Sequence, residues 1–393
     1  MANVSSSNGL EKRPKLRFPG FDEPWSIYKA EELFKNVADK NHPMETVLTI
    51  IQGKGTLPRE QAGRNIHYDD ASLANYKKVE QGDFIIHLRS FEGGLEMANE
   101  DGIVSPAYTI LRCKKPHSSL FYEAYFHTDE FINHILSKSV EGIRDGRQIS
   151  YEAFKWLGLP YCDLSEQERI AQLFCTLSHR IEKQQQMVDA LKKYKRGVVA
   201  AIFSHQLKFS DATGNPYPEW TSCTLQDAVD FLDGQRKPLE SADRAKRQGQ
   251  YPYYGASGII DYIDDFIFDE PLLLLGEDGA NILNRSTPLC FIAEGKYWVN
   301  NHAHVMRPKA GQNIKFLCEL LESLDYTRYN TGTAQPKLNQ DKCRRIGLAL
   351  PVYEEQCHIA DFLSAFDQRT DKAQSILDYL LSNRDGLLQQ LFI

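Results

Sequence analysis

Two stretches of the chain carry apolar residues at the spacing of an amphipathic helix. The stretch from residue 166 to residue 204 contains no proline, and apolar positions recur in it at helical intervals. The apolar positions lie seven or fourteen residues apart, at Ile170, Leu177, Leu191 and Val198 and again at Ile359, Phe366, Leu380 and Leu387. A helix of about 39 residues extends about 58 Å, which is longer than one small domain needs. We therefore predict two long helices that pair with each other.

The two helices belong to an internal repeat. Gly158-Leu159 and Gly347-Leu348 differ by 189 positions, and the same offset carries Glu166-Gln167 onto Glu355-Gln356. Further upstream the correspondence is looser, since Pro24-Trp25 matches Pro218-Glu219-Trp220 at an offset of 195 positions. The repeat is therefore a diverged head followed by a conserved helical tail.

The heptad pattern places polar residues on the predicted helix–helix seam. Counting three residues on from Ile170 and its equivalents assigns Arg180, Arg369 and Asn383 to d-type positions. Polar residues on a seam cost stability but fix the register of two unlike helices. We expect an antiparallel, coiled-coil-like pair, although two separate helices that each lie on their own head would give the same apolar stripes.

The heads mix short β-like runs with turn signals. Strand-like runs occupy residues 82–87, 107–111, 271–275 and 304–306, and glycine-containing turns separate them. Helical stretches near residues 119–136 and 314–324 precede the two tails. We predict an α+β fold with irregular, β-rich heads and a pseudo-twofold internal repeat.

Composition narrows the class of protein. The 393 residues carry a formal net charge of −7, which argues against a general nucleic-acid binder but not against a local basic patch. Eight scattered cysteines favour reduced thiols and a cytoplasmic protein. No apolar run approaches the ~20 residues of a membrane helix. The polar N-terminus is interpreted as a disordered leader over residues 1–15.

Basic, amide and aromatic side chains in the heads are the candidates for contacts to DNA. Arginine and lysine pair with guanine edges and phosphates, and asparagine and glutamine pair with adenine edges. For any one residue a solvated loop charge is the simpler interpretation. The candidates in the first head are Lys54, Arg59, Arg64, Arg89, Arg144, Arg147 and Gln148. Those in the second are Arg236, Lys237, Arg244, Lys246, Arg247, Tyr253, Tyr254, Asn284, Arg285, Asn300, Asn301 and Lys337.

Catalytic patterns are weak. His302-Ala-His304 could place two imidazoles on one face of a strand, but no third metal ligand has recognisable spacing. Gly276–Gly279 lacks the lysine of a phosphate-binding loop. Cys357-His358 falls on a predicted helix, where neighbouring side chains point apart. We therefore expect no catalytic residues and no bound metal or cofactor.

Ordered motifs in the second half carry a family resemblance. Tyr251–Ile263, Leu274–Asn281, Trp298–His302, Gly332–Asn339 and Ile346–Pro351 look like a target-recognition domain. With the duplicated layout, they resemble the specificity subunit of Type I restriction–modification enzymes. The first head departs from the pattern, because it lacks the Tyr-Tyr-Gly-Ala string and has Gly142–Ile149 in place of the Gly-Thr-Ala-Gln-Pro-Lys-Leu form.

The resemblance implies an organisation and a role. It implies target-recognition domains over residues 16–150 and 209–338, and helical spacers over residues 151–208 and 339–393. Each domain would recognise one half of a bipartite, asymmetric double-stranded DNA site, with the helices setting the spacing. Modification (methyltransferase) subunits, two in number, would dock on the spacers and bring S-adenosylmethionine. Restriction subunits would bring ATP and Mg²⁺.

Two other functions remain open on the sequence. A fused methyltransferase would need a glycine-rich cofactor loop, which the sequence lacks. A protein-interaction scaffold without DNA is favoured by the negative net charge.

Overall fold

The computed structural model describes residues 11–12, 14–62, 70–142, 147–332 and 335–392. About 41% of the chain is helical and 25% is strand, so the predicted mixture of helix and sheet is confirmed. The described chain packs into two compact units. Unit 1 contains the residues up to Gln186 together with those from Ser375 onward, and unit 2 contains Met187–Gln374. The five segments proposed from the sequence remain a prediction.

Unit 1 contains thirteen strands among its described residues, together with four short helices and one end of each long helix. The strands are β1 (Glu11–Lys12), β2 (Trp25–Lys29), β3 (Phe34–Val37), β4 (Leu48–Ile51), β5 (Gly55–Pro58), β6 (Lys77–Val79), β7 (Phe84–Ile86), β8 (Glu96–Met97), β9 (Gly102–Val104), β10 (Thr109–Cys113), β11 (Val140–Glu141), β12 (Gln148–Ile149) and β13 (Gly158–Tyr161). The α-helices are α1 (Ala30–Leu33), α2 (Ser90–Gly93), α3 (Ser119–Phe126), α4 (Tyr151–Phe154) and the long α5 (Leu164–Phe203), with a π-helical stretch at Glu130–Ile135.

Unit 2 repeats this layout with longer strands. Its strands are β14 (Thr221–Thr224), β15 (Val229–Phe231), β16 (Gln248–Gly255), β17 (Gly258–Ile263), β18 (Phe268–Asp269), β19 (Leu272–Gly276), β20 (Cys290–Ala293), β21 (Lys296–Val299), β22 (Ala303–Pro308) and β23 (Gly347–Leu350). Its helices are α6 (Leu225–Ala228), α7 (Ser241–Arg244), α8 (Asn281–Asn284), α9 (Ile314–Ser323), α10 (Gln340–Arg344) and the long α11 (Tyr353–Leu391). The elements from β2 to β13 are called the first head, and those from β14 to β23 the second head.

The main sheets of the two heads have the same strand order, whereas the second head also has a four-stranded sheet, β17-β16-β21-β18, where the described residues of the first head form two-stranded sheets. The main sheet of the first head has the order β3-β10-β7-β8, and that of the second has the order β15-β22-β19-β20. In each head the strand that precedes the long helix pairs antiparallel with an early strand, β13 with β2 and β23 with β14. The repeat therefore extends through the heads, where few residues reveal it.

The cores of the two heads differ in composition. The first is rich in aromatic rings, with Phe34, Phe84 and Phe126 in edge-to-face or tilted contact. The second is mainly aliphatic and is built around the buried strand β19 and the amphipathic helix α9. Both cores take in apolar residues of the long helices, such as Ile170 in unit 1 and Ile359 in unit 2. Burial of these residues fixes each head to its helices.

The long helices pair within each unit. In unit 1, Phe174 of α5 stacks on Phe392, which follows α11, with ring centroids 6.0 Å apart. In unit 2, Tyr194 packs on Phe366 at 5.6 Å, and the ammonium group of Lys195 lies 2.7 Å from an Asp367 carboxylate oxygen. Residues nearer the end of α5 join the core cluster that contains residues at the start of α11, so the helices run antiparallel in this unit.

Two sequence predictions about the ends and seam of these elements are corrected. Arg180 and Arg369 are exposed, because the buried positions follow Ile170 at steps of four and then three residues, through Phe174. The predicted seam instead took the step of three residues first, which selected Arg180 and Arg369. The partly buried Asn383 also lies outside the series that starts with a step of four residues. Residues 11–12, which the prediction placed in a disordered leader, form a strand that pairs with Ser26 and Trp25. Residues 1–10 and 13 lie outside the described residues.

A glutamate–glutamine pair at the start of each long helix contacts its own head. In unit 1, Gln167 accepts from the backbone N–H of Ser118, which caps α3, and donates to the carbonyl of Cys162. In unit 2, Gln356 accepts from the N–H of Asn313, which caps α9, and donates to the carbonyl of Pro351. The same side chain therefore joins three elements in both units.

The glutamates differ between the units. The Trp25 indole donates to Glu166 at 3.0 Å, and Arg17 binds both carboxylate oxygens of Glu166. Glu355 lies near the Trp220 indole, but one of its carboxylate oxygens is buried and has no hydrogen-bond partner among the described residues. Burial raises the pKa of Glu355, with Trp220 opposing the rise. The repeat has kept the carboxylate in unit 2 without its cation.

We expect Glu166→Gln and Glu355→Gln to differ in their effect on stability. The first should lower the free energy of unfolding by about 2 kcal/mol, because it removes charge-assisted hydrogen bonds to a buried group. The second should change it by less than about 1 kcal/mol, because the lost charge is buried without a cation. Urea unfolding followed by tryptophan fluorescence measures both. Equal losses would contradict the asymmetry.

Candidate nucleic-acid interface

Three of the motif segments in the second head meet at one end of the inner strands β19 and β22 of its main sheet. The N–H of Leu338 donates to the carbonyl of Glu277 at 2.7 Å, and the N–H of Gly279 donates to Pro336 at 3.0 Å. The N–H of Glu277 donates to His302 at 2.8 Å. The turn after β19, the turn before β22 and the Asn330 loop (residues 330–332 and 335–338) therefore form one polar surface, which we call the second-head edge.

Charged side chains at the second-head edge are paired with carboxylates. A guanidinium nitrogen of Arg236 lies 2.7 Å from one oxygen of Glu277, and the Lys337 ammonium lies 3.3 Å from the other. His302 Nδ1 lies 2.8 Å from Asp278. The side chains of Lys337 and His302 are half exposed, whereas that of Arg236 is only 14% exposed. Lys337 and His302 can reach a ligand, and Arg236 holds the turns in place.

A buried histidine lies directly beneath this edge. His304 on β22 has a 1% exposed side chain, and its Nδ1 lies 2.7 Å from Asp233. Its Nε2 lies 2.8 Å from the carbonyl oxygen of Leu338. Burial alone would lower the pKa of His304, but the hydrogen bond to Asp233 and smaller contributions raise it to about 10. His304 is thus positively charged at neutral pH.

The first head forms its edge from the equivalent elements. Helix α2 follows β7 and contacts β12, and the Arg147 guanidinium lies 4.3 Å from the centre of the Phe91 ring. Arg89 is 70% exposed and lies 2.7 Å from Glu92. Gln148 is exposed on β12. The structure therefore brings Arg89, Arg147 and Gln148 together, and Arg144 lies outside the described residues.

Lys54 is presented on a fixed turn of the first head. The two oxygens of Glu96 accept from the N–H groups of Gly53 and Gly55, at 2.7 and 2.9 Å. Both glycines have positive φ, and a Cβ on Gly55 would lie 2.6 Å from the carbonyl oxygen of Met97. Burial opposes ionisation of Glu96, but His127 and these N–H groups lower its pKa. The buried carboxylate of Glu96 therefore fixes the backbone turn that carries the exposed Lys54.

Several predicted contacts of the second head serve the fold of the β16–β17 hairpin and its surroundings. Arg244 binds Asp261 at 3.0 Å and lies over the ring of Tyr253, which is 1% exposed. Arg247 binds Asp264 and lies over Trp298. Lys237 and Lys246 are exposed on the segment that leads into this hairpin. These two lysines are more accessible than Arg244 and Arg247.

The remaining candidates occupy varied environments. Arg285 binds Glu322 at 2.6 Å, Tyr254 packs on Tyr297, and Asn300 is buried, with its side-chain oxygen accepting from the N–H of His302. Asn284 and Asn301 are exposed. Arg59 lies over Tyr76 with 5.9 Å to the ring centre, and Arg64 lies outside the described residues. As DNA contacts, all of these residues remain predictions.

Sequence reasoning missed the partners that organise the second-head edge. His304 was considered only as half of a metal site, yet both of its nitrogens are hydrogen-bonded. Its partner Asp233 lies 71 residues away, so no local pattern could reveal the pair. Among the described residues, no group of three histidine, cysteine or acidic side chains could hold a metal ion. No described helix is long and apolar enough to cross a membrane.

Comparison with known proteins identifies the second half of the chain. A family described as the Type I restriction modification DNA specificity domain matches residues 217–380. Those residues are similar to the Type I restriction modification DNA specificity domain. The family resemblance inferred from the motifs is thereby confirmed.

Two curated relatives match part of the chain. A putative type I restriction enzyme specificity subunit from Haemophilus influenzae is 32% identical over 155 residues, which are 39% of this chain and 38% of that protein. The EcoprrI specificity subunit from Escherichia coli is 28% identical over 154 residues, 39% of this chain and 37% of that protein. The match thus spans less than two fifths of the length of either relative.

Solved structures extend the likeness of fold to the whole chain. The S subunit of a type I restriction-modification system from M. genitalium has a TM-score of 0.60 at 16% identity, covering 97% of this chain and 99% of that one. A chain from a study of assembly and conformational transition of the type I system has a TM-score of 0.55 at 13% identity, covering 96% and 99%. The first head therefore shares its fold with these proteins, although the specificity domain match lies in the second half.

We expect His304 to make the stability of unit 2 depend on pH. Its folded pKa of about 10 lies above the ordinary value of about 6.5, so folding takes up a proton between these values. The stabilisation is complete below about pH 6.5 and is lost as the pH rises towards 10. The free energy of unfolding should fall across that window, and this part of the slope should vanish in His304→Gln. Identical slopes in both proteins would argue against a charged His304.

Proposed function

We propose that this chain is the non-catalytic DNA-specificity subunit of a type I restriction–modification complex. Each head would recognise one half of a bipartite, asymmetric site in double-stranded DNA. The observation that supports this most is that two heads of the same strand order, built from different sequences, each attach to the same two long helices. Two heads that share a main sheet but differ in their exposed side chains can bind two different DNA sequences.

The geometry divides the predicted DNA contacts into two groups. Exposed side chains at the edges and hairpins are proposed to contact bases or phosphates: Lys54, Arg89, Gln148, Lys237, Lys246, Asn301 and Lys337. Arg236, Arg244, Arg247 and Arg285 are partly buried in ion pairs, and Tyr253 and Asn300 are buried. We propose that this second group holds the loops that carry the first group.

The long helices are proposed to set the spacing between half-sites and to dock two methyltransferase subunits. Support comes from α5 and α11, each of which contributes residues to both units. A helix of 40 residues extends about 60 Å at ~1.5 Å per residue. Inserting seven residues into both helices should change the gap tolerated between half-sites, and an unaltered gap would remove the spacing role.

The chemistry is proposed to belong to the partner subunits. Methyltransferase subunits would supply S-adenosylmethionine, and restriction subunits would supply ATP and Mg²⁺ for translocation and cleavage. The role of this chain would then be to select the DNA that its partners modify or cut.

A protein-interaction scaffold that binds no DNA is the second candidate. The observation in its favour is charge, since the chain carries −7 overall and Glu277 and Asp278 lie at the second-head edge. Binding of the full chain to a randomised duplex pool, with and without a methyltransferase subunit, separates the two functions. Enrichment of a bipartite sequence supports the specificity subunit, and no enrichment in either arm supports the scaffold.

Exchanging the second head should change only half of the recognised site. Replacing residues 220–338 by the corresponding residues of another specificity subunit keeps β23 and α11, so the helices remain intact. We expect sequencing of methylated sites to show one altered and one unaltered half-site. If both half-sites stayed the same, the proposed function of the second head would be wrong.

Removing the two exposed lysines near the β16–β17 hairpin should reduce the salt dependence of DNA binding. Each phosphate contact contributes about 0.9 to the slope of log K against log salt, so Lys237→Ala with Lys246→Ala should lower that slope by about 1 to 2. Lys208→Ala is the matched control, because Lys208 lies beside Glu219 next to the end of α5. An unchanged slope in the double variant would place the phosphate contacts elsewhere.

A further inference from the structure

The hydrogen-bond partners of His304 indicate which of its nitrogens carry protons. A backbone carbonyl only accepts, so Nε2 must donate to Leu338. The oxygen of Asp233 that faces Nδ1 also accepts from the side-chain amide of Gln340, at 2.8 Å. The other oxygen of Asp233 accepts from the N–H of Val305 at 2.8 Å. A carboxylate with this many donors is ionised, so both nitrogens of His304 carry protons and donate.

This buried pair connects the sheet to the Asn330 loop. Asp233 follows β15 and His304 lies on β22, and these two strands are neighbours in the sheet. Leu338 ends the Asn330 loop, in which the side-chain oxygen of Asn330 accepts from the N–H groups of Gly332 and Lys337, at 3.0 and 2.8 Å. The position of Lys337 at the surface therefore depends on a contact made by a residue that the solvent does not reach.

Among the described residues of the first head, the positions equivalent to Asp233 and His304 hold no ion pair. His304 lies four residues before Pro308, the partner of Val229 at the start of β15, and Asp233 lies four residues after Val229. The same steps from the Cys113 and Phe34 pair of the first head lead to Thr109 and Ala38, which cannot form an ion pair. If the fold itself required this ion pair, both heads would contain it. We therefore infer that the Asp233–His304 pair serves the second head alone.

We propose that His304 is a positioning residue for target recognition by the second head: it fixes the Asn330 loop and does not touch DNA. The proposal rests on the proposed function. Replacing His304 by an apolar residue leaves the Asp233 carboxylate and the Leu338 carbonyl without the donors that His304 supplies. The Asn330 loop then keeps its hydrogen bonds to Glu277 and Gly279 but loses its attachment to β22, and the exposed side chains it carries no longer meet the bases in one geometry.

The test compares half-sites within one experiment. The full chain, with a methyltransferase subunit, selects duplexes from a randomised pool, and the selected duplexes are sequenced for the wild type and for His304→Leu. His42→Leu is the matched control, since His42 forms an exposed pair with Asp39 in the first head at 2.9 Å. The head exchange described above establishes which half-site belongs to the second head.

We expect His304→Leu to reduce base discrimination about tenfold or more at the half-site of the second head, the scale of one mismatched base pair. Discrimination at the other half-site, and at both half-sites in His42→Leu, should be unchanged. Unchanged discrimination at the second half-site, or an equal loss at both, would overturn the positioning role.

Asn330→Ala and hydrogen exchange keep the proposal testable if His304→Leu folds poorly. Asn330→Ala opens the loop without disturbing the buried pair, and it should cause the same one-sided loss of discrimination; retained discrimination counts against the proposal. Amide exchange in the peptide covering residues 330–338 should accelerate in His304→Leu or in the milder His304→Gln. If the wild type selects no bipartite sequence, the proposed function fails, and unaltered exchange at these amides would independently refute positioning by His304.

Discussion

The attachment of each head to the first turn of its long helix is the constraint on which the structure depends. Gln167 and Gln356 each accept from the N–H of the N-cap residue of a head helix, α3 or α9, and donate to a carbonyl just before the long helix. Both glutamine side chains are buried, so an unmade hydrogen bond here would cost a desolvation penalty. A head can therefore change elsewhere, but this junction must retain its donors and acceptors.

The glutamates show how far the two copies have separated. Glu166 is neutralised by Arg17, whereas one oxygen of Glu355 is buried and has no hydrogen-bond partner among the described residues. The heads differ in the same manner. In the first head, the buried carboxylate of Glu96 binds the turn that carries Lys54. In the second head, Asp233 binds His304, which in turn binds the loop that carries Lys337. A common sheet thus supports two unlike sets of exposed side chains, as two different targets require.

Pairing within the heads also changes the meaning of their arginines. A cluster of basic residues between Arg236 and Arg247 is apparent in the sequence, but three of its arginines bind Glu277, Asp261 and Asp264. Arginine suits this task because its planar guanidinium can bind a carboxylate and lie over an aromatic ring at once. Lysines, which have flexible stems and strongly hydrated ends, remain at the surface. The accessible positive charge of the second head is therefore smaller than its composition indicates.

The sequence by itself determined the two long helices, the repeat and the family resemblance, because helical periodicity and ordered motifs are local patterns. It also predicted four strand-like runs and the helices that became α3 and α9. It could not determine which residues form the helix–helix seam, because two heptad registers fit the same apolar residues. The burial of Phe174 and the exposure of Arg180 in the structure decide between them. Nor could it identify which charges are free: Asp233 meets His304 across 71 residues, and Arg236 meets Glu277 across 41. Only the tertiary structure brings such residues together, because contacts between distant segments depend on strand order and register, which no local pattern encodes.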